Sequence, residues 1–104
     1  MRVALFFGTF DPLHIGHIAI AGHVLNMGEM DALWFVLSPH NPHKDASQIR
    51  SFDTRLAELQ QSLAYYADER LALCDVENQL SRPSYTIVTL EYLEAAYPNN
   101  QFYL

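Results

Sequence analysis

The chain has 104 residues, half of them hydrophobic, so it is long enough for one domain with a modest core. A formal net charge of −6 argues against a general nucleic-acid surface, because such surfaces are usually basic. No apolar run approaches the roughly 20 residues that span a bilayer, and Met1 leads into a mixed strand rather than a signal peptide. The single cysteine, Cys74, lies in an apolar run, so we expect a buried thiol in a cytoplasmic protein with neither membrane nor nucleic-acid partners.

A strand, a tight loop and a helix are predicted at the start of the chain. Residues 2–7 are nearly all apolar, which is typical of a central parallel strand buried on both faces. The next segment, residues 8–17, is called the signature segment below. The helix predicted over 16–27 would present unpaired N–H groups to a ligand beyond the carboxyl end of the strand. Gly8 and Gly16 would let the backbone approach that ligand closely, because neither carries a Cβ.

Two histidines of the signature segment are candidate catalytic residues. His14 and His17 are three positions apart, so both can face one ligand from the loop and the first helical turn. Imidazoles there can donate hydrogen bonds to a phosphate whose negative charge grows in a transition state. Two other interpretations stay open: the pair caps the helix, or it joins His40 and His43 around a metal ion. We expect no metal site, because no cysteine or carboxylate is in step with the second pair.

The middle of the chain predicts a second strand and a second helix. Residues 32–37 form an apolar run, and prolines interrupt the loop that follows it. This loop opens on the same edge of the sheet as the signature segment, and it carries Lys44, a point charge suited to phosphate. The second helix is predicted over 53–66 with Arg55 in its first turn, where ligand contact and a plain surface charge are equally good interpretations.

The last third of the chain completes an alternating α/β pattern. Residues 70–76 predict a third strand, Ser84 is the expected N-cap of a helix over roughly 85–97, and residues 101–104 open a fourth strand. The order β-α-β-α-β-α-β predicts a parallel sheet with flanking helices. Helical spacing places apolar side chains of each helix toward the core, among them Ile15, Tyr66 and Ile87.

Three motifs resemble known enzymes. The signature segment resembles the His-x-Gly-His nucleotidyltransferase signature, here His14-Ile15-Gly16-His17 after Gly8-Thr9-Phe10-Asp11-Pro12. Pro42-His43-Lys44 is similar to a segment of the mononucleotide adenylyltransferases in that superfamily. Pro83-Ser84-Tyr85-Thr86, with Thr89-Leu90 after it, resembles a segment of the bacterial nicotinate-nucleotide adenylyltransferases. The motifs stand in the family's order and cover essentially the whole chain.

The resemblance implies a Rossmann-like fold of the adenine nucleotide alpha-hydrolase-like type. It implies transfer of the adenylyl group of ATP to nicotinate mononucleotide, with Mg²⁺ held mainly on the ATP. The implied catalytic residues are His14 and His17. The implied ATP-binding residues are Gly8, Thr9, Phe10, His14, Gly16 and His17, and the implied mononucleotide-binding residues are Lys44, Arg55, Tyr85 and Thr86. The family often has Asp where this chain has Val88, which removes a carboxylate with a capping or orienting role.

Family members usually have a second half, with a Gly-x-Asp segment and a C-terminal Ser-Ser/Thr-x-x-Arg motif, that this sequence does not contain. We therefore expect residues 1–104 to form a single domain, the N-terminal half of a larger enzyme cut after its fourth strand. An unpaired edge at Phe102-Tyr103-Leu104 would favour self-association. Two other functions stay open: another adenylyl- or cytidylyltransferase, such as phosphopantetheine adenylyltransferase, and a catalytically silent nucleotide-binding module.

Overall fold

The predicted alternation of strands and helices is confirmed. A computed structural model of the chain describes residues 1–39, 50–79 and 86–104. Its strands are β1 (Arg2–Gly8), β2 (Ala32–Leu37), β3 (Leu71–Cys74) and β4 (Gln101–Tyr103). Its α-helices are α1 (Ile15–Asn26), α2 (Phe52–Tyr66) and α3 (Thr86–Ala96), and a short 3₁₀ helix covers Val76–Gln79.

The four strands form one parallel sheet in the order β3-β2-β1-β4. The two apolar strands, β1 and β2, occupy the centre, where side chains are buried on both faces. Gly8 pairs with Leu37 at the ends of these strands, and the Ser38 N–H donates to the Gly8 carbonyl over 2.9 Å. The carboxyl ends of β1 and β2 therefore lie side by side, and the signature segment starts at this edge.

Two core clusters lie on opposite faces of the sheet. The first core cluster includes Ala21 and Leu25 of α1 and Leu59 of α2, packed against Leu33 and Phe35 of β2. The second core cluster lies under α3, and its buried members are Val3, Leu5, Ala32, Val36, Cys74, Val76 and Leu93. Alternate residues of each strand supply the two clusters, as a strand period of two requires. Cys74 is a free, buried thiol, as the sequence predicts, and burial raises its pKa.

Three of the apolar helix residues expected in the core are exposed. Ile15 is 79% exposed, Ile87 61% and Tyr66 41%. Ile15 and Ile87 lie in the first turns of α1 and α3, and Tyr66 is the last residue of α2. Helical spacing alone does not locate the part of a helix that reaches the sheet. In the part of the chain that the structure describes, no helix is both long and apolar enough to cross a membrane.

Candidate active site

Phe10 anchors the signature segment to the sheet. Its side chain is only 3% exposed, and its backbone has a φ of 45°. The ring meets Phe6 and Phe35 edge-on, with centroids 5.5 and 5.3 Å away. A Cβ at Gly8 would lie 3.1 Å from the Phe10 ring, closer than nearly all real Cβ contacts. Gly8 therefore leaves room for an aromatic ring that lies directly against the backbone where β1 ends.

His14 and His17 cap the start of α1 reciprocally. The Nδ1 atom of His14 accepts from the Gly16 N–H over 3.1 Å, and the Nδ1 atom of His17 accepts from the His14 N–H over 3.0 Å. Together these bonds form a capping box made of two imidazoles. The rings stack with centroids 3.8 Å apart. The sequence-based expectation that both side chains reach one place is confirmed, and so is the capping interpretation.

The geometry of the two imidazoles determines what they can offer a ligand. Since both Nδ1 atoms accept hydrogen bonds, the proton of each neutral ring belongs on Nε2. Burial lowers the pKa of His17, and the neighbouring His14 lowers it further. His17 is therefore held as a neutral donor beside the N-terminus of α1, where N–H groups and a partial positive charge favour anions.

Gly16 allows the first histidine to fold back over the helix. A Cβ at Gly16 would lie 2.9 Å from Cε1 of His14 and 3.0 Å from its Nδ1, and the ring would have to move. The two glycines of the signature segment thus avoid steric conflict with two different side chains. Gly8 makes room for Phe10, and Gly16 makes room for His14.

An ion-pair network that sequence reasoning missed ties the signature segment to α2. Asp11 accepts from both the backbone N–H and the Nε–H of Arg50, and Arg50 also pairs with both oxygens of Glu58 at 2.6 Å. Hydrogen bonds from Arg50 hold the pKa of Asp11 below its ordinary value, and the same guanidinium lowers the pKa of Glu58. The sequence shows that Asp11 and Arg50 carry opposite charges. Because 39 residues separate them, no local pattern indicates that they pair.

Arg55 is buried, so its interpretation as a plain surface charge is wrong. The residue is 1% exposed, and its guanidinium donates to four backbone carbonyls. One of these belongs to Thr9 of the signature segment. Contact between Arg55 and a mononucleotide stays a prediction.

The remaining predicted site residues are less closely joined to the histidine pair. Thr86 is exposed and is the first residue of α3. A buried hydrogen bond of 2.6 Å from the Thr89 hydroxyl to Glu77 holds this end of α3 beside the segment after β3. Lys44 and Tyr85 lie outside the described residues, as do His40 and His43 of the metal-site alternative. Within residues 1–39, 50–79 and 86–104, no three His, Cys, Asp or Glu side chains group as metal ligands would.

Curated relatives match the whole chain but only half of their own length. A protein of Flavobacterium johnsoniae named "probable nicotinate-nucleotide adenylyltransferase" is 39% identical over 107 residues, covering 100% of this chain and 53% of the relative. Relatives of the same name from Christiangramia forsetii and Bacteroides thetaiotaomicron are 37% and 38% identical, and the matches cover 52% and 50% of their lengths. The chain thus spans about half the length of these relatives.

Solved structures share the fold. Plasmodium falciparum nicotinic acid mononucleotide adenylyltransferase complexed with NaAD superimposes with a TM-score of 0.77 at 18% identity, covering 97% of this chain and 49% of that one. The same enzyme complexed with APC gives a TM-score of 0.69 at 17% identity, with 97% and 48% covered. The sequence model of one family, described as cytidylyltransferase-like, matches residues 5–101. With that match over nearly its full length, the chain belongs to the cytidylyltransferase-like family.

Proposed function

We propose that this chain carries the histidine half of a site that transfers the adenylyl group of ATP to nicotinate mononucleotide. The products are deamido-NAD and pyrophosphate, so the reaction belongs to NAD biosynthesis. The stacked His14–His17 pair at the N-terminus of α1 is the observation that carries the proposal. The names of relatives 37–39% identical over the whole chain supply the substrate class.

The chemistry requires positioning and charge stabilisation rather than a strong base. A phosphate oxygen of the mononucleotide forms a bond to the α-phosphorus of ATP, and the bond from that phosphorus to the bridging oxygen breaks as pyrophosphate leaves. The nucleophile is already an anion, so no proton has to be removed from it. His14 and His17 would donate from Nε2 to phosphoryl oxygens whose negative charge grows in the transition state.

The other predicted residues divide between the two substrates. Gly8, Thr9, Phe10 and Gly16 would shape the ATP side through backbone contacts. Lys44, Tyr85 and Thr86 would contact the mononucleotide. Mg²⁺ would arrive on the ATP phosphates and keep mainly water and substrate oxygens as ligands, as this ion prefers. A reducing, cytoplasmic location would suit the single free thiol of Cys74, which is buried.

The proposal is tested by pyrophosphate release from Mg-ATP and nicotinate mononucleotide, comparing the wild-type chain with His17→Ala. We expect release that requires both substrates, and a loss of about two or more orders of magnitude in His17→Ala, the scale for removal of one transition-state donor. His23→Ala is the matched control, because His23 lies on the exposed side of the same helix and should leave the rate unchanged.

A measurement of Mg-ATP binding distinguishes an active enzyme from a catalytically silent nucleotide-binding module. If the 104-residue chain binds Mg-ATP in calorimetry but releases no pyrophosphate, it acts as the silent module, and the proposed transfer is refuted for this chain. Equal rates for His17→Ala and wild type would instead refute the role assigned to the histidine pair. Phosphopantetheine replacing nicotinate mononucleotide as the better acceptor would favour the other adenylyltransferase.

A further inference from the structure

Arg55 joins three separate parts of the chain through their backbones. Its Nε–H donates to the Arg50 carbonyl at 2.8 Å, just before α2. Its Nη1 donates to the carbonyls of Thr9 at 2.9 Å and Ser38 at 2.7 Å, and its Nη2 donates to Pro39 at 2.6 Å. Four of the five guanidinium N–H groups are engaged, and the side chain is buried.

The carbonyls that Arg55 contacts stand at the mouth of the candidate site. Thr9 follows β1 directly, and Ser38 and Pro39 follow β2. The signature segment continues from the first of these positions, and in the sequence Lys44 follows the second. One planar guanidinium therefore fixes the start of one loop against the start of the other, a geometry that the fork of arginine can maintain and a point charge cannot.

Thr9 is also the residue before Phe10, which packs against the ring of His17 with centroids 5.1 Å apart. A shift of the Thr9 carbonyl would move Phe10 and with it the packing around His17. The Phe52 ring, 5.6 Å from Cζ of Arg55, holds the guanidinium from the α2 side. The path from Arg55 to the histidine pair thus runs through residues in direct contact.

We infer that Arg55 is a positioning residue, which sets the separation of the signature segment from Ser38 and Pro39 after β2 and is not itself a ligand of the mononucleotide. This inference rests on the proposed function for its consequence, since the two loops would carry the ATP and mononucleotide sides. The spacing matters because a displacement of about 1 Å can reduce the rate of a positioned reaction by about a hundredfold.

Arg55→Lys tests the inference, because lysine keeps the buried charge but cannot donate along four fixed directions. We expect a folded chain in which the ring protons of His17 change their NMR shifts, since the aromatic ring of Phe10 moves relative to them. We also expect a dissociation constant for Mg-ATP at least about tenfold higher. Arg70→Lys is the matched control, because the side chain of Arg70 is exposed and pairs with Asp68 across a turn.

The outcomes separate a positioning role from a structural role and from ligand contact. Unchanged His17 shifts and Mg-ATP affinity in folded Arg55→Lys, even with lower stability, would overturn the inference. If that variant does not fold, the wild-type chain decides: the side-chain N–H signals of Arg55 should exchange slowly and stay in place when nicotinate mononucleotide is added, and movement would show direct contact. The His17 shifts need no activity, so the inference can hold even where the proposed transfer fails.

Discussion

His14 and His17 use different nitrogen atoms for structure and for the proposed chemistry. Each Nδ1 accepts a hydrogen bond at the helix start, and each Nε2 is the nitrogen that the proposed chemistry would use as a donor. The same two side chains therefore complete α1 and prepare the anion site. A substitution at either position removes both contributions, so a lost rate has to be compared with the loss of stability before a catalytic role is assigned.

The lowered pKa of His17 predicts how stability depends on pH. The unfolded chain takes up a proton near the ordinary value of 6.5, whereas the folded chain takes it up only at lower pH. The free energy of unfolding should therefore fall as the pH drops below about 6.5 and level off below the pKa of the folded state. Above about pH 6.5, His17 is neutral in both states and adds no pH dependence. Urea denaturation followed by circular dichroism between about pH 8 and pH 5 measures this slope.

His17→Asn is the matched variant for that measurement. Its carboxamide oxygen can accept the His14 N–H in place of Nδ1, but it does not titrate. The slope between the two pKa values should become shallower in the variant. If the free energy of unfolding of the variant depends on pH as strongly as that of the wild type, His17 does not contribute to this dependence.

Two glycine-to-alanine substitutions should have opposite effects on stability. The Cβ of Gly8→Ala would press on the Phe10 ring, which is enclosed by Phe6, Phe35 and His17 and cannot yield easily. We expect a loss of about 1–3 kcal/mol, as in other overpacked sites. Gly22→Ala is the control, because nothing lies within 4 Å of its Cβ in α1, and it should stabilise by about 0.5–1 kcal/mol. Thermal unfolding of both variants checks the signs, and a stabilising Gly8→Ala would contradict the steric argument.

At this scale the sequence predicts residue types better than their surroundings. The order of glycines and histidines in the signature segment predicts the helix start and the paired imidazoles, because all of these contacts are local. Arg55 could not be assigned, because its acceptors lie as far as 46 residues away and are backbone atoms, which leave no pattern in the sequence. The pairing of Asp11 with Arg50 could not be predicted either, because 39 residues separate the two side chains.

The elements were predictable where the apolar pattern is strong. The strand over Ala32–Leu37 has the predicted bounds, since both of its faces are buried and the run is uninterrupted. The third strand was predicted too long, over 70–76, because Val76 is apolar and buried but belongs to the 3₁₀ helix after β3. In the sequence, a buried apolar residue outside a strand cannot be distinguished from one inside a strand.

The link between this 3₁₀ helix and α3 predicts a stability effect. Thr89→Val keeps the shape of the side chain but removes the hydroxyl that donates to the buried Glu77 carboxylate. We expect a loss of about 1.5–3 kcal/mol, the usual range for a hydrogen bond to a charged group. Urea denaturation measures it, with Thr86→Val as an exposed control in the same helix that should change stability by less than about 0.5 kcal/mol. A Thr89→Val loss no greater than that of the control would show that the bond is not stabilising.

At the scale of the whole molecule, β4 forms one end of the sheet. It is three residues long, and its last residue, Tyr103, and the following Leu104 are both exposed. The short fourth strand of the sequence predicts an unpaired apolar edge at Phe102-Tyr103-Leu104, but it does not indicate what covers that edge. An unpaired strand edge with apolar side chains is a template for pairing with another chain.

We therefore predict that the 104-residue chain self-associates through β4. Sedimentation velocity should show a weight-average mass that rises with protein concentration. Leu104→Lys should reduce this rise, because a charge at the edge opposes strand pairing. Met27→Lys, at an exposed apolar position after α1, is the control that should leave association unchanged. A mass independent of concentration would exclude pairing through this edge.

Because the sheet separates the two core clusters, the fluorescence of Trp34 is a probe of one face only. Trp34 is the single tryptophan, and its ring meets Tyr97 and Phe102 with centroids 5.1 and 5.4 Å away, on the face that bears the second core cluster. Phe10 and His17 pack on the other face, against Phe6. Fluorescence from Trp34 consequently reports whether the C-terminal third of the chain packs on the sheet. Events at the histidine pair should leave the emission of Trp34 unchanged. A nucleotide titration that shifted its emission would mean that the two faces of this sheet communicate.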